Sequence, residues 1–264
     1  MCSLSIHPAP GARLEKPTDF DYRPTRSGRA NEFPEMIRHH VIISGTGRTG
    51  TTFLVQLLTA AGLDTGFTDV ASAVSPHCNA GMERDIRQPD APYVVKSPWL
   101  CDHLDEVLND RNIHIDHAII PIRDLFSAAE SRREVARKAT AARRRKKVSG
   151  GLWHTELPEE QEAVLANQLY KLLFALAKRN IPVTLLHYPR LVQEPEYLYR
   201  KLGFLMSGFS YGKFLSVFNQ VVRPDLVHDY VPAPKNTTRA GWRAATMSYL
   251  CSLILGLVSK ITDS

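Results

Sequence analysis

The sequence predicts an α/β protein of three layers, α/β/α, built on a central parallel sheet, and three observations carry that expectation. Short apolar runs of β-type residues alternate along the chain with longer segments of helical period. The first run, Val41-Ile42-Ile43-Ser44, passes directly into a glycine-rich turn. Apolar-patterned Phe53-Leu54-Val55 and Leu57-Leu58 follow that turn, which is the strand–loop–helix layout of a P-loop-type phosphate site. Lastly, Arg48, Lys96, Arg123 and Tyr188 each fall just after a candidate strand. Open parallel sheets gather their ligands at that end of their strands.

The elements follow in order. Residues 1–38 form a polar, Pro-rich extension without sustained apolar period, so residues 39–264 are expected to hold one domain. A chain of 264 residues that is 44% hydrophobic can bury one substantial core. After the glycine-rich loop, Tyr93-Val94-Val95-Lys96 reads as a short strand that stops at Pro98. A helical pattern covers Leu100 to Asn109, and Ile115 to Ile122 is a stronger strand. Helical patterns begin at Leu125 and run from Pro158 to Arg179, where Pro158-Glu159-Glu160 suits a helix start. Val183 to His187 completes the strands.

Composition excludes several classes. The four cysteines, Cys2, Cys78, Cys101 and Cys251, show neither a C-x-x-C pair nor zinc-type spacing, so a disulfide framework and a metal cluster lack support. No long apolar stretch follows the N-terminus, and Leu250 to Val258 is too short to span a bilayer. A soluble, cytoplasmic protein without a transmembrane segment is the expectation. A formal net charge of +6 favours anionic ligands, with much of the excess in Arg132 to Lys147. That run reads as a solvated helix, a lid or an attractor of anions, and its start, Arg132-Arg133, as a possible aid to phosphate binding. It lacks the aromatic interleaving of a dedicated nucleic-acid binder.

The chemistry begins at Gly45 to Thr52. Backbone amides of Gly47 to Thr52 at a helix start can cradle an anion, and Arg48 adds positive charge. Gly45 and Gly50 fit G-x-x-x-x-G, but Thr51 stands where an ATPase or GTPase has its lysine. The loop therefore suits a terminal phosphate without a triphosphate chain.

Arg48-Thr49-Gly50-Thr51-Thr52 resembles the 5′-phosphosulfate loop of the sulfotransferases that use 3′-phosphoadenosine 5′-phosphosulfate (PAPS). "IIPIRDLFSAAESRR" resembles their 3′-phosphate signature, with Arg123 ending a strand and Ser131 eight positions on. Arginine can hold a phosphate as a bidentate fork, and Ser131, about two helical turns later, faces the same side. Asp124 reads as the helix cap. The segments "VTLLHYPRLVQEPEYLYRKLGFL" and "KNTTRAGWR" resemble later parts of the family pattern, so the likeness covers most of residues 41–242. It implies that Tyr188 approaches the adenine, that Phe53 takes the place of a base-stacking tryptophan, and that Lys235, Arg239 and the Gly241 backbone close over the 3′-phosphate.

The resemblance also implies in-line sulfuryl transfer to an acceptor hydroxyl or amine, with release of 3′,5′-bisphosphoadenosine (PAP). Arg48 and Lys96, the latter in "VVKSPWL", would stabilise charge at the bridging oxygen, and no metal is required. Pro98 occupies the position of the histidine base of cytosolic members. Asp69 in "GFTDVAS" is the first choice for the base, with Glu83 in "GMERDI" and His77 as alternatives. His77 beside Cys78, and the pair His39-His40, are not read as metal ligands. The acceptor is a small molecule, a glycan or a lipid-linked sugar. Two other readings stand beside this one: a small-molecule kinase, and a noncatalytic nucleotide- or polyanion-binding protein.

Overall fold

The computed structural model describes residues 37–70, 74–75, 79–141, 149–228 and 230. In chain order the described elements are β1 (Arg38–Ile43), α1 (Thr51–Ala60), β2 (Val74–Ser75), β3 (Ala80–Gly81), β4 (Val94–Lys96), α2 (Leu104–Asn109), β5 (Ile113–Ile122) and α3 (Leu125–Ala141). They continue with α4 (Gln161–Lys178), β6 (Val183–His187), α5 (Arg190–Gln193), α6 (Pro195–Lys201) and α7 (Tyr211–Val221). Four strands form one sheet in the order β4-β1-β5-β6, and every pair is parallel. β2 and β3 make a separate antiparallel ribbon.

Strand alternation divides the core between the two faces of the sheet. Val41, Ile43, Val94, Ile119 and Leu186 pack on one face with Leu54, Leu57 and Leu58 of α1, Leu198 of α6, and Phe214 and Phe218 of α7. Their sequence neighbours Ile42, Val95, Ala118 and Ile120 pack on the other, with Leu104 and Val107 of α2 and Leu172 and Leu176 of α4. The central strands therefore read as continuous apolar runs because both faces are covered. Each fully buried Leu, Ile or Phe contributes roughly 1.5–3 kcal/mol.

The expected α/β/α arrangement is the one observed, with small shifts at element ends. Leu100–Asp102 form a 3-10 turn before α2, and Pro158–Glu160 form another before α4. Asp124 does cap α3: its Oδ1 accepts from the Ser127 amide at 2.8 Å. Along the basic run the helix is described to Ala141, and residues 142–148 lie outside the described residues. Arg133, Arg137 and Lys138 are ion-paired with Glu130, Glu134 and Glu162. Those pairs neutralise much of the exposed charge of α3.

Strand register sets the site. Ile43 is the partner of Lys96, and Ile122 the partner of His187. Lys96 thus lies beside the start of the glycine-rich loop, and Arg123 follows its strand beside Tyr188.

Candidate active site

The loop between β1 and α1 turns sharply because four of its residues take positive φ: Gly45 at 137°, Gly47 at 64°, Arg48 at 58° and Gly50 at 85°. Only Arg48 carries a side chain there, a conformation uncommon outside glycine. A Cβ on Gly50 would sit 3.0 Å from Leu191 Cδ1 and 3.2 Å from Tyr188 Cδ2. One on Gly47 would sit 2.6 Å from Arg132 Nη2. Gly50 caps α1 without a side-chain hydrogen bond, and the first turn holds no acidic residue. The helix thus presents amides without intrahelical partners and the positive end of its dipole.

The loop around Arg48 and the strand end at Arg123 meet. Arg48 Nε donates to Ser131 Oγ at 3.0 Å, and Arg123 Nη1 donates to the Arg48 carbonyl at 3.1 Å. Arg123 also donates through Nη2 to the His228 carbonyl. Its guanidinium lies 4.7 Å from the Tyr188 ring centroid and 5.8 Å from that of Tyr230, within cation–π range. Tyr188 is itself buried in the core against α1 and α5, so one residue serves packing and the site together.

Lys96 and Glu83 form the second focus. Lys96 is only 2% exposed, and its Nζ donates to Thr52 Oγ1 at 2.9 Å, to the Gly81 carbonyl at 2.5 Å and to Glu83 Oε1 at 2.9 Å. The β2–β3 ribbon delivers Glu83, and the Arg84 amide donates to the Lys96 carbonyl at 3.0 Å, which fixes the pair. A buried ammonium requires such partners, because an unpaired charge there would cost several kcal/mol, on the order of 3–5.

Both foci open onto one cavity of about 660 Å³. Arg48, Gly50, Thr51, Thr52, Phe53, Glu83, Lys96, Arg123, Ser131 and Tyr188 all line it. Thr49 is buried beneath the loop, with Oγ1 lacking a hydrogen-bond partner among the described residues. Phe53 stands edge-on to Phe218, with ring centroids 5.6 Å apart. Asp69, the first choice for the base, is not among the lining residues, whereas its alternative Glu83 is. Lys235, Arg239, Gly241 and His77 lie outside the described residues.

Sequence reasoning undervalued Arg132 and missed Trp99 and Trp153, all of which line the cavity. Arg132 sits in the basic run yet is buried at 6% exposure, so the solvated-helix reading does not hold at the start of the run. It bridges two carbonyls, Thr46 in the phosphate loop at 2.7 Å and Gly151 at 2.8 Å, and lies 5.0 Å from the Trp153 ring centroid. No carboxylate pairs with it among the described residues, and its Nε lacks a hydrogen-bond partner. Burial first, and the Arg48 charge second, push this guanidinium down to about 9. Gln161 holds the Trp153 backbone at both ends, accepting from its amide at 2.7 Å and donating to its carbonyl at 3.2 Å. His154 is 2.8 Å from Asp102, which ties that segment to the turn following Trp99. The one sequence signal was adjacency of Arg132 to Ser131.

No family model and no curated protein matches the chain. Solved structures similar to it include two sulfotransferase domains. The sulfotransferase domain from the Synechococcus PCC 7002 olefin synthase matches over 79% of this chain and 94% of its own, at 15% identity and a TM-score of 0.40. The sulfotransferase domain from the curacin biosynthetic pathway matches over 77% and 82%, at 14% identity and a TM-score of 0.37. Likeness at this level assigns no activity to the present chain.

Proposed function

We propose that the chain is a sulfotransferase that moves the sulfuryl group of PAPS to an acceptor hydroxyl or amine and releases PAP. The observation that carries this reading is the direct bonding of Arg48 to Ser131 and of Arg123 to the Arg48 carbonyl. Two anion-binding motifs far apart in sequence therefore share one cavity, as a ligand with a phosphate at each end of a nucleoside requires. The cavity volume falls within the roughly 300–1,000 Å³ usual for small-molecule sites. A buried Arg132 without a carboxylate partner likewise suits a site completed by an anionic ligand.

In this reading the α1 amides, Arg48 and Thr51 hold the 5′-phosphosulfate. Arg123 and Ser131 take the 3′-phosphate, and Tyr188 lies against the adenine. Lys96 and Arg48 oppose the charge that grows on the bridging oxygen, where fixed cations in a dry site act most strongly. Glu83, held by Lys96, takes the acceptor proton as the acceptor–sulfur bond forms and the sulfur–bridging-oxygen bond breaks. Glu83 takes this role in place of Asp69 because it lines the cavity beside Lys96.

The test is turnover of labelled PAPS with a panel of acceptor alcohols, phenols and sugars by wild type and Glu83→Gln. Loss of a general base lowers kcat by roughly 10²- to 10⁴-fold, while PAP still binds. Full turnover by Glu83→Gln would remove Glu83 from the mechanism, and absence of any sulfuryl transfer across the panel would count against the reaction itself.

A further inference from the structure

At the amino end of the sheet, roughly 20 Å of strand away from the phosphate loop, three metal-ligating side chains converge. His39 of β1 and His114 of β5 are direct register partners on neighbouring strands, and both are exposed. Their imidazole centroids are 4.8 Å apart. The register then shifts: His40 pairs with Ile115 but Val41 pairs with His117, so Asp116 is the extra residue of a bulge. Bulges are rare between parallel strands, and where they occur they re-aim a side chain. This one leaves Asp116 Oδ1 at 2.7 Å from His39 Nδ1 and 3.6 Å from His114 Nε2. The buried neighbours Ile113 and Ile115 point to the opposite face.

We propose that His39 Nδ1, His114 Nε2 and an Asp116 carboxylate oxygen form a site for a divalent transition-metal ion of the Zn²⁺ class, completed by water. Zinc bonds of about 2.0–2.1 Å in a tetrahedron place ligand atoms roughly 3.3 Å apart. The three ligand atoms here all lie within 4.8 Å of one another, so side-chain rotations alone close the set. Two imidazoles select zinc, nickel or copper over magnesium and calcium, which favour oxygen ligands. The neighbouring Arg38 does not oppose a cation, since its guanidinium is turned to the carbonyls of Ile86 and Gln88. The Tyr93 phenol, raised by burial and then by Asp116, faces the same carboxylate. A bound ion staples β1 to β5, the two central strands that carry the phosphate loop and Arg123 at their other ends. The site is independent of the nucleotide reading.

The experiment is calorimetric titration of Zn²⁺ into the untagged, chelator-stripped full chain at neutral to mildly alkaline pH, since a ligating imidazole must offer an unprotonated nitrogen. MgCl₂ serves as control. Wild type should take up one equivalent of Zn²⁺ and no Mg²⁺, and gain thermal stability with Zn²⁺. His114→Ala and Asp116→Asn should each bind roughly tenfold or more weakly and lose that gain, because a first ligand is removed. His114 is exposed and Asp116 half-buried, and metal-free melting of each variant reports whether its fold is intact. Equal zinc uptake by wild type and both folded variants, or no uptake by wild type at about 100 µM, would overturn the proposal.

Discussion

Arg123 is held at once by a carbonyl of the phosphate loop, by the Tyr188 ring and by the His228 carbonyl. Charge-assisted hydrogen bonds contribute about 1.5–3 kcal/mol, so Arg123→Ala should weaken PAP roughly 10- to 150-fold and bring it close to AMP, as titration of both would show. A variant that still prefers PAP to AMP would place the 3′-phosphate elsewhere. Arg132 makes a prediction of opposite character. Its guanidinium is destabilised by burial, so an anion bound beside it favours the protonated form and raises its pKa in the complex. PAP affinity should therefore be full below about 9 and decline as pH rises through that value. Arg132→Met should bind PAP more weakly and lack that inflection. Arg123 and Ser131 were legible because strand-end position and an eight-residue spacing are sequence properties. The burial of Arg132 was not, since a cation inside a run of cations gives no sign that Trp153 and two carbonyls enclose it. That Glu83 rather than Asp69 lines the cavity was not legible either, because the β2–β3 ribbon that carries Glu83 to Lys96 consists of two-residue strands with no pattern to read.

At the scale of elements, the site depends on the turn into α1. Gly50→Ala combines a left-handed backbone angle with contacts of 3.0 and 3.2 Å to Leu191 and Tyr188. The left-handed angle alone costs about 1–2 kcal/mol, and the displaced loop should also reduce PAP affinity. Chemical denaturation and titration of the variant check the two effects separately. A stability equal to wild type would show that the loop is not held as described. Leu54→Ala, beneath the same helix and fully buried, should cost about 2–5 kcal/mol through a core cavity. Its ligand contacts should be unchanged, so binding to the folded fraction separates packing from recognition. The central strands β1 and β5 were readable because their middle residues are buried and apolar on both faces, and β6, whose Leu185 and His187 are exposed, was readable from its apolar run after Pro182. The bulge at Asp116 was not, because an inserted residue leaves the apolar pattern of β5 nearly intact.

For the molecule as a whole, a net charge of +6 is a poor guide to where anions bind. The exposed cations of α3 are largely paired with Glu130, Glu134 and Glu162, and the cations that face the cavity are mostly buried. Buried contacts are screened little by salt, so PAP affinity should fall only modestly between 50 and about 200 mM salt, whereas a surface polyanion site would lose far more. Ligand binding should also stabilise the entire fold. At PAP concentrations about 100-fold above Kd the gain is about 2.7 kcal/mol, or roughly 5–10 °C in melting temperature for a chain of this size.

Recognition of both ends of a 3′,5′-bisphosphorylated adenosine by one cavity is measured by calorimetric titration with PAP, with AMP and magnesium-ATP as comparators. PAP should bind at one equivalent, at least about tenfold more tightly than AMP or magnesium-ATP, and Arg123→Ala should remove the difference. Preference for magnesium-ATP, or equal affinity for PAP and AMP in the wild-type protein, would contradict recognition of both ends.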